Sequence, residues 1–467
     1  MKHAVCKSRS FGVARLASVL SAATFQIARC LSVQTPALSY SSASPNAGIY
    51  LHIPFCRRRC HYCDFPIKVI GDKESRRRSS GEYYTELLLR DIDQWTRLAG
   101  AEGTKVDTIY FGGGTPSLLP NECMELRFSL IFFKSNSWSC CVLYLGIDRI
   151  LQRLRDTFTL DPLSEVTLEM DPGTFDYERL LALRGSGVNR ISMGVQSFDS
   201  AMLKHCGRPH SVEDTYRAVE DLHRASWDNF SIDLISSLPH LTAELWQETL
   251  AEAAKVGSAH ISVYDLQVEP GTAFARWYTP GVSPLPTEEV GAEMYRTAVR
   301  SLGAADFEHY EVSNYAQPGK RSRHNLKYWQ CAPVMAFGMS AASYWGNQRF
   351  SRPRTMPEYE QYVQSLQDQQ QQYVQSAAAQ DGTPDIYDRI MLALRTADGL
   401  DLSAFRSDYG PDVTEKVVGA LRGFTEGGLV RLSGDAGGEP ERAKLSDPEG
   451  LLVSNDVISS VFAALPG

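Results

Sequence analysis

Three cysteines stand close together near the start of the chain, in the stretch IPFCRRRCHYCDFP at residues 53–66. Cys56, Cys60 and Cys63 have the spacing C-x3-C-x2-C. A structural zinc site needs a fourth ligand, for which His61 is a candidate, whereas an iron–sulfur cluster held by three cysteines keeps one iron open for another molecule. The spacing therefore indicates a metal centre and leaves both kinds open.

Six short β-rich segments alternate with helical patterns over residues 48–310. They are 48–55, 106–114, 165–172, 190–197, 229–237 and 259–267. Repeated strand–helix alternation predicts a parallel sheet, either open or part of a barrel. Ligands of such folds bind at the carboxyl ends of the strands. The cysteines, the GGGTP stretch and the GVQSF stretch all follow predicted strands, so this edge is the predicted site.

Helical patterns flank the predicted strands. Ser79 and Glu82 have the spacing of a capping box, and a helical face that includes Tyr84, Leu88 and Trp95 follows them. From about residue 385, helical patterns and a GGLVRL segment predict a compact helical domain with a small β wing. Residues 125–146 interrupt the alternation, and we interpret them as an insertion.

Composition excludes several classes of protein. The chain has 467 residues, 43% of them hydrophobic, and a net charge of -8 that argues against nucleic acid as a partner. From residue 47 onward no run of about 18 apolar residues predicts a membrane span. The ten cysteines are too scattered for a disulfide framework, which favours a reducing compartment.

Residues 1–46 have the composition of an organelle transit peptide. They contain no Asp or Glu, many Ser and Ala, and the basic residues Lys2, Lys7, Arg9, Arg15 and Arg29. An unstructured tail without a targeting role is the alternative. Arg29, close before CLSVQ, favours mitochondrial processing, with the plastid stroma as the second candidate.

The C-x3-C-x2-C spacing after the first strand, with Tyr62 directly before the last cysteine, resembles the radical S-adenosylmethionine (SAM) superfamily. The resemblance implies that Cys56, Cys60 and Cys63 hold a 4Fe-4S cluster whose open iron binds SAM. The implied fold is α/β, a radical SAM partial (β/α)6 TIM-like barrel with a C-terminal, mostly helical, winged-helix-like domain. The expected parts are 1–46 transit peptide, 47–310 radical SAM core, 311–380 barrel-closing and haem-motif segment, and 381–467 helical domain.

Further motifs resemble one family in particular, the oxygen-independent coproporphyrinogen III dehydrogenases and their relatives, the HemW haem chaperones. They include GIYLHIPFC, YFGGGTPS, LEMDP, ISMGVQSFD, HISVYDLQVEPGTAF and RHNLKYW. The resemblance implies a set of SAM-binding residues, namely Tyr50, Tyr62, Gly113, Gly114, Thr115, Glu169, Gln196, Arg208 and Asp233. A structural role, such as capping a following helix, is the alternative for Glu169 and Asp233.

Phe65 distinguishes the two branches of that family. The dehydrogenases carry a fourth cysteine at this position, whereas the HemW branch has an aromatic residue and an H-N-x-x-Y-W motif, here His324, Asn325, Tyr328 and Trp329. Imidazole is a common haem ligand, and aromatic rings suit a porphyrin face, although a lone histidine also serves as a structural residue. The implied cargo is haem, and the implied partners are haem-receiving apoproteins.

Three functions follow as hypotheses. The first is a haem chaperone that uses a 4Fe-4S cluster and SAM, and the second is oxidative decarboxylation of coproporphyrinogen III to protoporphyrinogen IX. The third is a structural zinc protein without SAM. The sequence does not determine the oligomeric state, for which a homodimer is one candidate.

Two departures from the family pattern concern glycines. The family has IYGLP where this chain has Ile235 to Pro239, which puts Ser237 at the glycine position. It also has GxGxGAxS where this chain has Phe337 to Ser343, which puts Ser340 at a glycine position. Loss of glycine reduces backbone freedom, so these changes concern the geometry on the substrate side.

Overall fold

The computed structural model describes residues 46–119, 146–368, 383–434 and 439–465, together with the backbone of residues 124–125 and 142–143. The expected transit peptide lies outside the described residues except for Asn46. Most of the expected insertion at 125–146 also lies outside them. Its two described backbone segments pair with each other as a short antiparallel ladder.

The described chain is built from short strands and helices in alternation. The strands are β1 (Ala47–Ile53), β2 (Phe55–Cys56), β3 (Lys68–Val69), β4 (Lys105–Gly113), β5 (Met124–Glu125), β6 (Val142–Leu143), β7 (Thr159–Met170), β8 (Arg190–Gln196), β9 (Phe230–Ser236), β10 (His260–Asp265), β11 (Glu308–Glu311), β12 (Asn314–Ala316), β13 (Val334–Phe337), β14 (Ala342–Trp345), β15 (Gln348–Ser351), β16 (Leu400–Asp401), β17 (Val430–Ser433) and β18 (Arg442–Leu445). The helices are α1 (Glu74–Leu98), α2 (Ile147–Thr157), α3 (Tyr177–Ser186), α4 (Ser200–His205), α5 (Val212–Arg224), α6 (Ala243–Lys255), α7 (Ala273–Trp277), α8 (Glu288–Gly303), α9 (Arg323–Trp329), α10 (Met356–Asp368), α11 (Ile386–Ala393), α12 (Leu402–Tyr409), α13 (Pro411–Arg422), α14 (Glu449–Leu452) and α15 (Ser454–Ala464).

Six parallel strands form the centre of the main sheet, in the order β1, β4, β7, β8, β9 and β10. These are the six predicted strands, each connected to the next through a helix. β12 pairs antiparallel with β10 at one end, and β13 pairs parallel with β1 at the other. The predicted partial (β/α)6 barrel is confirmed, because strand order follows chain order and every crossover carries a helix.

Helix α1 packs against β13 to β15 and against the carboxyl end of β1. Tyr84, Leu88 and Trp95 are each at most 1% exposed, so the predicted apolar face is the packed face. The predicted capping box is wrong, because the helix begins at Glu74 and Ser79 lies inside it. The Ser79 hydroxyl donates to the carbonyl of Arg76 instead, a bond that serine commonly makes within a helix.

A buried ion pair attaches α1 to the strands beyond β1. Arg352 Nε donates to Asp91 Oδ2 at 3.3 Å, and neither side chain is exposed to solvent. The same carboxylate accepts hydrogen bonds from the Gly338 backbone N–H at 3.0 Å and from the Tyr359 hydroxyl at 2.9 Å. Since a buried charge is tolerated only when it is paired and hydrogen-bonded, these contacts fix the helix against β13 to β15.

The C-terminal part has its own hydrophobic core, with fully buried Leu394, Leu400, Phe405 and Leu421 at its centre. Helices α11 to α15 surround a three-stranded antiparallel sheet in the order β16, β18, β17. The predicted helical domain with a β wing is therefore confirmed. Within the part of the chain that the structure describes, no helix is long and apolar enough to cross a membrane.

Candidate functional site

The cysteines occupy a loop that leaves β1 at the carboxyl edge of the sheet. Cys56 ends β2, which pairs parallel with β3 and brings the end of the loop back to its start. The Arg59 guanidinium lies under the loop and donates to the carbonyls of Cys63 at 3.1 Å and Phe65 at 3.0 Å. One arginine thus fixes the curvature of the segment that carries the last two cysteines.

The three thiols are free, and each keeps part of its surface accessible. Burial, with a smaller contribution from neighbouring thiols, raises the pKa of Cys56 to about 12 and that of Cys63 to about 11. A metal that binds there must displace protons. The described residues contain no group of three or more Cys, His, Asp or Glu side chains arranged around a single ion.

His61 does not join the cysteines as a fourth ligand. Its Nδ1 lies 2.8 Å from the carbonyl oxygen of His205, and its ring packs edge-on against Trp277 at 4.8 Å. The zinc hypothesis required this imidazole to converge with the thiols. The cysteines of a cluster bind different iron atoms, so they do not need to converge on one point. The donor set therefore fits an iron–sulfur cluster better than a zinc ion.

Arg208 connects the cysteine loop to the barrel. Its Nη1 lies 3.4 Å from Cys60 Sγ and 3.4 Å from the Tyr62 hydroxyl. Its Nη2 donates to Asp171 Oδ1 at 2.5 Å and to the Gly194 carbonyl at 2.8 Å. Three of the predicted residues, Cys60, Tyr62 and Arg208, are therefore in contact, and the buried guanidinium places a positive charge beside one thiol.

Asp171 is a site residue that the sequence reasoning missed. Besides Arg208, its carboxylate accepts a hydrogen bond from Thr115 Oγ1 at 3.1 Å, and that hydroxyl lies 3.8 Å from Cys56 Sγ. Its position in LEMDP, two residues after Glu169 in an extended strand, was the available signal because alternate residues share one face. Asp171 thus joins two of the predicted side chains at the mouth of the barrel.

The glycine-rich loop after β4 is shaped by close approach to the cysteine loop. A Cβ at Gly114 would lie 2.6 Å from the backbone oxygen of Phe55, and a Cβ at Gly113 would lie 2.5 Å from the His52 ring. Gly113 also has a left-handed φ of 111°. Both glycines are required here by the chain's own packing, which brings their backbone beside the cysteines.

Inside the barrel, acidic and aromatic side chains from neighbouring strands form a connected group. Glu169 accepts hydrogen bonds from the Tyr110 hydroxyl at 2.9 Å and the Gly113 backbone N–H at 3.0 Å. The Tyr50 ring stacks on Tyr110 with centroids 6.1 Å apart. Glu169 is therefore held at the sheet edge by two donors, and no helix is capped by it.

Burial raises the pKa of Glu169 to about 7 and that of Asp233 to about 6. Each carboxylate lies deep in the barrel yet keeps accessible surface, so both line its internal cavity. One oxygen of Asp233 has no hydrogen-bond partner among the described residues. Gln196 ends β8 with a left-handed φ of 70°, close to Gly194 and Arg208. The cavity thus offers acidic oxygens to a ligand with positive charge or hydroxyl donors, as SAM has.

The His324 motif lies elsewhere, near the amino ends of β1 and β4. His324 is 1% exposed, its Nδ1 is 2.9 Å from Thr108 Oγ1, and its Nε2 is 3.1 Å from the Tyr328 hydroxyl. Burial, with Lys327 and Arg190 adding to the effect, lowers the pKa of His324 to about 3. Both ring nitrogens are thus engaged within the protein.

The other residues of the motif have structural contacts. The Asn325 backbone N–H donates to the helix-capping Ser322 hydroxyl at 3.3 Å, and Trp329 packs against the C-terminal hydrophobic core. The His324 ring stacks on Tyr110 at 5.2 Å. Tyr110 therefore lies between the His324 ring and Glu169, whereas Tyr328 is close enough to Glu169 for that carboxylate to help raise its pKa. No contact among the described residues joins the motif to Cys56, Cys60 or Cys63.

Comparison with known proteins places the chain in a family. The Radical SAM superfamily profile matches residues 50–253, and the HemN C-terminal domain profile matches residues 384–436. A Synechocystis protein named Heme chaperone HemW is 35% identical over 89% of this chain and 96% of its own length. The chain belongs to the HemW family of radical SAM proteins. The branch that Phe65 predicted is therefore confirmed.

Other HemW relatives extend this result. Heme chaperone HemW of Bacillus subtilis is 29% identical over 89% of this chain and 99% of its own length. The mouse protein named Radical S-adenosyl methionine domain-containing protein 1, mitochondrial, is 33% identical over 65% of this chain and 62% of its own length. Membership of the radical SAM superfamily implies a 4Fe-4S cluster and SAM.

A solved structure agrees with the fold. Coproporphyrinogen III oxidase (HemN) from Escherichia coli, described as a radical SAM enzyme, superimposes with a TM-score of 0.69 over 90% of this chain and 91% of its own. The two sequences are 20% identical. At this level the likeness establishes a shared architecture of barrel and C-terminal helices.

Proposed function

We propose that the protein is a haem chaperone that binds haem and transfers it to apoproteins. The observation that carries the proposal is the similarity to Synechocystis Heme chaperone HemW over nearly the full length of both chains. Phe65 supports it, because the dehydrogenase branch has a cysteine there. Phe65 is 45% exposed beside the cysteine loop, so no packing requirement explains an aromatic residue at this position.

In this proposal Cys56, Cys60 and Cys63 hold a 4Fe-4S cluster. Bound SAM and the cluster together supply one-electron chemistry at the barrel mouth. The chain's own residues fix that position: Arg59 holds the loop carbonyls, and Arg208 keeps a positive charge beside Cys60. Glycines 113 and 114 leave room for the loop at the sheet edge.

SAM is proposed to lie in the barrel cavity. Tyr50, Glu169 and Asp233 line it, and Thr115 and Gln196 stand at its rim. Glu169 and Asp233 offer oxygens to a ligand ammonium or ribose hydroxyls, and a bound positive charge would lower their raised pKa values. The cavity thus matches a zwitterionic, sulfonium-bearing ligand.

The mitochondrion is the proposed location. The acid-free residues 1–46 and the relatives named mitochondrial, from mouse, zebrafish and cow, support it. Fractionation of cells that express the full chain tests this proposal. A chain that resides in another compartment would contradict it.

The function is tested with the anaerobically reconstituted chain. We expect iron and sulfide without zinc, haem bound in stoichiometric amount, and no protoporphyrinogen IX formed from coproporphyrinogen III with SAM and a reductant. Turnover of coproporphyrinogen that is lost in Cys60→Ala would instead establish the dehydrogenase. A zinc-loaded chain that does not bind SAM would establish the structural zinc protein.

A further inference from the structure

Beside the cysteine loop, outside the barrel, imidazole and aromatic rings form a surface patch. Phe274, which is fully buried, is its centre, and rings from the cysteine loop, from α4 and from the end and C-cap of α7 surround it. The rings in contact with Phe274 are those of His61, Tyr62, His205, Trp277 and Tyr278. Trp277 is 52% exposed, so the patch offers an aromatic face to solvent.

His240 stands at the edge of this patch. It is exposed, and its ring lies edge-on to His205 with centroids 5.1 Å apart. Within the described part of the chain, no hydrogen bond reaches either ring nitrogen of His240. Its backbone has a left-handed φ of 67°, uncommon for a residue with a side chain, and its N–H donates to the Pro284 carbonyl at 2.8 Å. The loop therefore presents an imidazole that is available to a metal.

His205 supports that imidazole. Its Nε2 is hydrogen-bonded to the Tyr278 hydroxyl, which holds the ring in place. The His205 ring packs edge-on against His240 and so limits the orientations open to that imidazole. Imidazole is a common iron ligand, so the patch is chemically suited to an iron centre.

A cationic cavity of about 230 Å³ is lined by residues of the cysteine loop, of α4 and of the segment that follows α4. Its lining contains no Asp or Glu and consists of Arg58, Ser200, Leu203, Lys204, Arg208, His210 and Ser211. Arg208 Nε, on a side chain at least nine-tenths buried, has no hydrogen-bond partner among the described residues. A buried donor left without a partner points to a ligand with acceptor oxygens.

The patch and the cavity are built from the same two segments. Lys204 lines the cavity and the next residue, His205, belongs to the patch. Within the cysteine loop, Arg58 lines the cavity and His61 belongs to the patch. Haem has the matching combination, an iron that binds imidazole, a flat apolar ring and two anionic propionates.

We propose that haem binds on this outer face, with His240 as an iron ligand, the porphyrin against Trp277 and the propionates in the cationic cavity. The inference rests on the proposed function and names the site of that function. It differs from the prediction from sequence, because His324 has both nitrogens engaged and is 1% exposed. Arg208, which contacts both the cavity and Cys60, would then connect bound haem to the cluster loop.

The first test is haem titration of the full-length, cluster-loaded chain, read from the Soret band. Loss of an iron ligand in His240→Ala should weaken binding by about tenfold or more and shift the band. His324→Ala and His223→Ala should stay within about twofold, His223 being an exposed histidine on the far helix α5. If His240→Ala bound haem as tightly as the wild type while His324→Ala lost haem binding, the inference would be overturned and the His324 motif would be favoured as the haem site.

The second test concerns the propionates and uses haem dimethyl ester, which lacks both charges. The wild-type chain should bind the ester about tenfold more weakly than haem, and Arg58→Ala should weaken binding of haem but not of the ester. Equal affinity for both ligands would overturn the role of the cavity. Failure of the wild-type chain to bind haem at all would overturn the proposed function itself, so the two failures are distinguishable.

Discussion

Replacement of Glu169 by Gln tests whether the acidic cavity exists as described. Burial raises the pKa of Glu169 from 4.5 to about 7, which corresponds to at most about 3 kcal/mol of free energy of unfolding. Because the folded pKa is the raised one, this stability is present below the unfolded pKa and is lost as pH rises through about 7. About 2 kcal/mol of it falls between about pH 5.5 and about pH 8.

The assay is urea denaturation of the SAM-free chain at both pH values. From the lower to the higher pH, the free energy of unfolding of the wild type should fall by about 2 kcal/mol more than that of Glu169→Gln. At both pH values the substitution should also lower the free energy of unfolding by about 1 kcal/mol, because the amide makes one imperfect hydrogen bond. Glu178→Gln, at an exposed position of α3, is the matched control and should follow wild type. Identical pH dependence in wild type and Glu169→Gln would refute the buried, raised-pKa carboxyl.

Three further predictions concern the cluster loop and the backbone. Cys60→Ala should lose iron and sulfide, whereas the control Cys206→Ala, at a buried free thiol nearby, should retain both. Metal analysis that shows equal loss of iron in the two variants would contradict the proposed set of cluster ligands. Gly114→Ala should lower the free energy of unfolding by about 1–3 kcal/mol because its Cβ meets backbone, while Gly185→Ala, in open space on α3, should be neutral or stabilising. Ser340→Gly should raise the melting temperature, since a left-handed φ of 63° costs a serine about 1 kcal/mol, and a decrease would mean that the hydroxyl matters more than the strain.

Much of the barrel followed from the sequence because its strands are buried on both sides. Leu51, Phe111 and Ile191 are all fully buried, so the apolar runs marked the strands directly. The predicted start of α1 was wrong because Ser79 and Glu82, which have the spacing of a capping box, lie inside a helix that begins at Glu74. A spacing rule cannot exclude an earlier start when the preceding residues also tolerate helix.

Long-range contacts limited the prediction of the site. The spacing identified Cys56, Cys60 and Cys63, but nothing local to Asp171 indicated its bond to Arg208, 37 residues later. The proximity of His240 to His205 likewise depends on the loop after β9 meeting the end of α4 in space. Such pairs become visible only when the strands are arranged in space.

The glycine departures show the converse, because the family pattern indicated a conformation that this chain keeps without glycine. Ser237 and Ser340 have left-handed φ values of 55° and 63°. The backbone shape is therefore retained in the serine-bearing chain, and strain is the consequence.

The central claim is delivery of haem, and its most direct measurement is transfer to an acceptor. Haem-loaded, cluster-reconstituted chain is mixed anaerobically with a haem-free cytochrome, and the acceptor is separated and its Soret band recorded. We expect haem to reach the acceptor faster from this chain than from haem-loaded serum albumin. Transfer no faster than from albumin, with conversion of coproporphyrinogen III to protoporphyrinogen IX in a parallel sample, would contradict it.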